Sequence, residues 1–183
     1  VEGKGVLGRG RLTFYRDTGD LSPATHALVG EPVGRGSCRE TRRFFSGSSK
    51  TEQVALEAAF RGGELVLDPL THSFTQTLEL ELREGNGPNG QMLRAQNPSG
   101  RFRGRYEEAE GKITLRYQDS GNLTEVTGRR EGGRIVLPGQ PYLQALTHSE
   151  GRSRWLGFHT GSAVPHELSW GATPELTYQR SDE

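Results

Sequence analysis

In "TLELELRE" (77–84), Leu78, Leu80 and Leu82 fall on one side of an extended chain, and Glu79, Glu81 and Arg83 fall on the other. That period of two belongs to a sheet with one face buried and one face in water. Similar short runs are "RLTFYR" (11–16), "RFRGRY" (101–106), "KITLRY" (112–117), "RWLGFH" (154–159) and "ELTYQR" (175–180). Gly, Pro, Asn and Asp punctuate them at about ten-residue intervals, as turns between strands do. One segment, "SSKTEQVALEAAF" (48–60), carries a helical signal in Ser49 with Glu52 and in its alanines. Val54, Leu56, Ala58 and Phe60 nevertheless alternate with Gln53, Ala55, Glu57 and Ala59, and the segment is assigned to a strand. The pattern predicts an all-β chain, an antiparallel meander of roughly 12–14 short strands that protects its edges as a barrel or as two packed sheets.

Two stretches share landmarks in the same order. Ser46-Gly47, Thr51-Glu52, Gly62-Gly63 and Leu70-Thr71-His72-Ser73 match Ser120-Gly121, Thr124-Glu125, Gly132-Gly133 and Leu146-Thr147-His148-Ser149. This predicts an internal duplication, with units near 42–84 and 113–160 inside a single β domain spanning 1–183. "GNGPNG" (85–90) is the loop between them. In each unit the Gly-Gly pair is expected to be a hairpin turn, since glycine supplies the positive φ angles a tight turn needs. "DSGN" (119–122) reads as another hairpin, a type I turn closed by a left-handed Gly121 with a bulge.

Composition narrows the classes. Leu, Ile, Val and Phe make up about a fifth of the chain, near the level at which strongly charged chains fail to fold. Lys plus Arg and Asp plus Glu are 23 each, so net charge is zero and self-repulsion does not oppose a thin core. The same balance argues against a generally basic nucleic-acid coat or membrane-surface protein and leaves local patches to carry either role. The basic residues are arginines apart from Lys4, Lys50 and Lys112. No stretch approaches the roughly 18 apolar residues of a membrane span. The lone Cys38 has no disulfide partner in the chain, which favours a reducing, cytoplasmic compartment. A start at Val1 leaves a secreted or periplasmic origin open.

Candidate chemistry is sparse. His26, His72, His148, His159 and His166 lack the close spacing of zinc ligands, and no nucleophile elbow, phosphate loop or dinucleotide fingerprint occurs. His148 and Ser149 are adjacent, so on a strand they face opposite sides and cannot form a dyad. Glu79 and Glu81 share a solvent face, where no carboxyl shift is expected. No cofactor or metal is assigned, and the reading leans away from an enzyme. Asn122 heads a glycosylation sequon that matters only in a secreted eukaryotic chain.

What remains is arginine beside aromatic residues. Arg101, Arg103 and Arg105 lie on one face of a strand, with Phe102 and Tyr106 on the other. Related mixtures include Arg39, Arg42 and Arg43 in "RETRRFF" (39–45), Arg152, Arg154 and Trp155 in "GRSRW" (151–155), and "GRGRLTFYR" (8–16). Cations that track phosphates, next to rings that stack bases, are what single-stranded nucleic-acid binding requires. The leading expectation is therefore a non-catalytic β-sheet protein that binds single-stranded nucleic acid through these residues. The alternatives are a calycin-like barrel holding a small apolar ligand, and a cell-envelope or secreted surface protein. Convergence of the arginine segments on one concave, aromatic-lined stripe favours nucleic acid, their scattering among the glutamates ends that reading, and a solid interior removes the small ligand. Oligomeric state is not legible.

Overall fold

The structure, a computed structural model, describes residues 2–3, 12–13, 21–85, 88–119, 121–149, 152–153 and 163–181. Strands β1 (Glu2–Gly3) and β2 (Leu12–Thr13) form a small ladder of their own. The main sheet takes β3 (Ala24–Leu28), β4 (Val33–Arg43), β5 (Ser49–Asp68), β6 (Ser73–Glu84), β7 (Leu93–Gln96), β8 (Ser99–Ala109), β9 (Lys112–Asp119), β10 (Asn122–Glu131) and β11 (Arg134–Pro138). Helix α1 (Gln140–Thr147) follows, then a second small ladder of β12 (His148–Ser149) and β13 (Arg152–Ser153). The main sheet ends with β14 (Ala163–Ala172) and β15 (Glu175–Arg180).

Eight strands close on themselves. Around the ring the order is β3, β5, β6, β8, β9, β10, β11 and β15, with β15 returning to β3 and every neighbour antiparallel. That is chain order, so the predicted all-β meander is an up-and-down barrel, an arrangement without the exposed edges of an open sheet. Strand β5 is 20 residues long and serves two structures. Its second half is a barrel stave between β3 and β6, while its first half pairs with β4, which in turn carries β14. Residues 49–60 of that segment are therefore strand, as the alternation indicated, and form much of an arm that extends the barrel wall.

The inward positions follow the sequence period. Leu78, Leu80 and Leu82 are buried together with Leu65, Ile113, Leu115, Ile135, Leu137, Leu176 and Tyr178. Eight strands enclose a bore that side chains can just fill, and α1 closes one end of it. Pro141 stands in the first turn of the helix, where its missing N–H costs no hydrogen bond. Tyr142, Leu143 and Leu146 share the buried side. The Tyr142 ring lies 5.3 Å from Phe102, edge-on, and 6.5 Å from Tyr117, stacked. At the opposite end the guanidinium of Arg130 donates to the Glu108 carboxylate at 2.6 Å, tying β10 to β8 across β9.

The stretches aligned as repeat units are not built alike. Gly132-Gly133 is a hairpin turn between β10 and β11, closed by Glu131 opposite Arg134. Gly62-Gly63, expected to be a turn, instead lies within β5 at a bulge opposite β6. The reason is contact with β6: a Cβ on Gly63 would stand 2.6 Å from the Thr77 carbonyl oxygen, so glycine there permits close approach of two strands rather than a reversal. Leu70 to Ser73 joins β5 to β6, whereas Leu146-Thr147 ends α1. At "DSGN" Asp119 pairs directly with Asn122, a two-residue loop in place of the bulged type I turn expected, with Gly121 at φ +83°. Strand candidates 11–16 and 154–159 lie largely or wholly outside the described residues.

Candidate functional site

Strand β8 carries the best-defined candidate. Phe102 and Tyr106 point into the barrel, so Arg101, Arg103 and Arg105 must point out, and all three are exposed. Pairing sets their neighbours: Arg101 lies opposite Thr77, Arg103 opposite Thr75, and Arg105 between Ser73 and Arg116. None of these contacts supplies negative charge to the row.

Elsewhere on the described surface most arginines are matched to carboxylates, although Arg134 donates to the Gln179 amide oxygen at 2.9 Å. Arg61 bridges Glu31 and Glu81, Arg83 meets Glu81, and Arg129 holds Glu131 and Glu175. Arg116 lies 2.8 Å from Glu125 and 3.0 Å from Glu107, and the hydrogen bonds it donates to those carboxylates, Glu125 foremost, raise its pKa. Among the described residues no carboxylate comes within ion-pair distance of Arg101, Arg103 or Arg105. Arg105 also faces Arg116 directly across the ladder, a like-charge pairing that works against the sheet.

A groove runs beside this row. The β8–β9 ladder extends from Ala109 and Lys112 to Gly104 and Tyr117 and stops there. Beyond that point β8 pairs with β6, and β9 with β10. The strands separate around a groove of about 780 Å³ whose lining includes Arg103, Arg105, Arg116, Gln118 and Leu123. Gly104 makes the crossing possible, since a Cβ on it would fall 1.8 Å from the Arg116 carbonyl oxygen. Tyr106 forms part of the wall but is only 7% exposed, and burial, with the nearby Glu108 charge, raises its pKa. The apolar surface the groove offers to solvent is mainly Leu123, 70% exposed, with the exposed His72 ring 5.9 Å from Tyr106.

The other expected arginines are elsewhere. Arg39 lies on β4 opposite Gln53 and pairs with Glu167 at 3.2 Å. Arg42 and Arg43 occupy the end of the same strand, opposite Lys50 and Ser49. From Gln53 to Val66, which is in the row of Arg103, is roughly 40 Å of strand at the usual rise per residue. Arg152 is in β13, opposite Ser149. Arg154 and Trp155 are outside the described residues. The end of β4 that carries Arg39, Arg42 and Arg43 therefore does not join the β8 row.

Other candidates are structural. Cys38 is buried, and burial, with Glu40 and Glu84 adding to it, pushes its thiol to about 12, so it is a neutral core side chain. Glu81 is held below the ordinary carboxyl range by hydrogen bonds from Arg83 and Arg61, unlike the unshifted group expected, and is no general acid. His26 faces the bore, fully buried, with neither ring nitrogen in hydrogen-bonding geometry. Burial and the Arg130 charge lower its pKa, while the carbonyls of Leu65 and Ala24 oppose that shift. Nearby, Gln76 donates to the Tyr178 hydroxyl at 2.8 Å. No group of three or more potential metal ligands occurs among the described residues. No family model, curated protein or solved structure matches the chain.

Proposed function

We propose that this is a non-catalytic binding protein that holds single-stranded nucleic acid along the outer face of β8. The observation that carries the reading is the row Arg101, Arg103 and Arg105, exposed and without a carboxylate partner among the described residues, in a surface where most other described arginines are paired with carboxylates. Residues two apart on a strand stand about 7 Å apart, so the row spans roughly 13 Å. A single phosphate would engage one end of it, whereas a polyanion follows its length. Guanidinium groups donate two hydrogen bonds to a phosphate, and the adjoining groove gives an unstacked base a place beside Leu123 and His72. The arginines beside Tyr106 thus form the proposed surface, and Arg39, Arg42 and Arg43, on β4, lie apart from it.

A small apolar ligand in the bore is less well supported. Leucine, isoleucine and aromatic side chains occupy the inward positions and α1 closes one end.

Fluorescence anisotropy with a labelled oligothymidine tests the proposal. Three phosphate contacts to a single strand give a slope of about −2 in log K against log salt, or about a 20-fold loss between 50 and 200 mM. Replacing Arg101, Arg103 and Arg105 with Ala removes most of the binding and flattens the slope. Arg129→Ala, on a different stave and already paired, leaves both unchanged. Absent binding, salt-insensitive binding, or a triple variant that binds like wild type overturns the reading.

A further inference from the structure

The turn between β4 and β5 is the apex of a hairpin that projects past the barrel. The last β6 residue paired with β5 is Glu84, opposite Leu56, whereas β4 and β5 continue together to Arg43 and Ser49. Each residue from Phe44 to Gln53 is exposed, on both faces of the strand. The Gly47 amide donates to the Phe44 carbonyl and the Phe44 amide to the Ser48 carbonyl, both at 2.9 Å. Gly47, at φ +81°, completes a tight reversal. At its corner Phe44 is 51% exposed and Phe45 114%, more open than in an extended reference peptide.

Two adjacent phenylalanines at a convex apex gain nothing there from the protein's own core. Directly behind them on the ladder lie Arg42 opposite Lys50 and Arg43 opposite Ser49. Between Thr41 and Thr51 there are three basic residues and no acidic one. Lys50 pairs with Glu52, but both are exposed and such a pair is readily exchanged. With the tip foremost, the apolar groups reach the acyl boundary of a bilayer while the cations one step behind stay level with its phosphates. The remaining apex residues, Ser46, Gly47 and Ser48, are small. A bilayer accepts a convex tip of this kind without a preformed pocket.

We infer that the β4–β5 hairpin docks on anionic lipid bilayers, placing Phe44 and Phe45 in the interface and the cations of Arg42, Arg43 and Lys50 at headgroup level. The inference is independent of the β8 surface. Cosedimentation with phosphatidylcholine vesicles, with and without phosphatidylglycerol, measures it. Binding is expected to the anionic vesicles, weakly to phosphatidylcholine alone, and to fall with salt. Phe45→Ser lowers the partition coefficient about tenfold or more, and Arg43→Gln lowers it about fivefold. Phe45→Trp retains binding and gives a blue-shifted emission on anionic vesicles. Because Phe45 is in solvent, the thermal midpoint of its variants stays at the wild-type value, which separates lost docking from lost folding. Equal binding to both vesicle types, unchanged partitioning of Phe45→Ser, or a Phe45→Ser effect confined to self-association or to oligonucleotide affinity overturns it.

Discussion

Replacing Tyr142 with alanine tests whether α1 is the plug of the barrel or merely packs beside it. The side chain is fully buried and its ring meets Phe102 and Tyr117, which line the bore from β8 and β9. Burial pushes its phenol well above the ordinary value, Tyr178 adds to that shift and Gln76 opposes it, so the group inserts as a neutral ring. Large aromatic-to-alanine changes in cores cost about 3–5 kcal/mol. Here two ring contacts, each worth about 0.5–1.5 kcal/mol beyond area, place the cost near 4 kcal/mol. For a chain of 183 residues that lowers the thermal midpoint by about 8–16 °C. Calorimetry or circular dichroism measures the shift. Phenol added to the variant is expected to recover part of the loss by occupying the space left by the ring, and to leave wild type unchanged. A loss below about 1 kcal/mol, or equal stabilisation of both proteins by phenol, refutes the plug, since a residue that seals a filled bore cannot be removed so cheaply.

Two further perturbations separate causes that the fold combines. Gly104→Ala places a methyl group 1.8 Å from the Arg116 carbonyl oxygen, so β8 and β9 must part, and urea denaturation should show a loss of about 3 kcal/mol or more. Gly121→Ala meets nothing within 4 Å and bears only the strain of φ +83°, about 1–2 kcal/mol; equal losses at the two sites would show that crowding is not what Gly104 relieves. His26 should make stability depend on pH. Its folded pKa lies below its unfolded value of about 6.5, so the unfolded chain takes up the proton first. Stability is therefore retained above about pH 6.5 and declines as pH falls toward the folded value, at no more than about 1.4 kcal/mol per pH unit. The wild-type curve minus that of His26→Gln isolates this contribution from the carboxylates, and a difference that is flat between pH 7 and 5 would show that the ring is not held neutral in the bore.

The barrel was legible because its signal is local. Leu78, Leu80 and Leu82 announce their face within six residues, and "ELTYQR" coincides with β15 from Glu175 to Arg180. Closure was less visible, because it depends on β15 pairing with β3 across most of the chain. The missed element, α1, is short and lies among strands, yet Pro141 followed by Tyr142, Leu143 and Leu146 is a first-turn proline with one apolar helical face. The Gly62-Gly63 turn was misread because glycine marks both reversals and close strand contacts, and only the pairing with Thr77 and Leu78 tells them apart.

The site was half legible for a related reason. Alternation alone puts Arg101, Arg103 and Arg105 outside and Phe102 and Tyr106 inside. It does not say which arginines are already satisfied, because Glu125 reaches Arg116 from β10 and Glu175 reaches Arg129 from β15. Neutral net charge conceals this distribution: pairing of arginines around the barrel leaves the β8 row as a local excess of positive charge. A bore lined by packed leucine, isoleucine and aromatic side chains leaves the outer wall and the arm as the surfaces for the proposed recognition. In a calycin-like binder, ligand and core would compete for the same interior, so mutations that improve one would weaken the other. Here the side chains proposed to meet ligands, Arg101, Arg103, Arg105, Phe44 and Phe45, are exposed and make no core contact. Their replacement should therefore alter binding at nearly constant stability, whereas Tyr142→Ala should alter stability first.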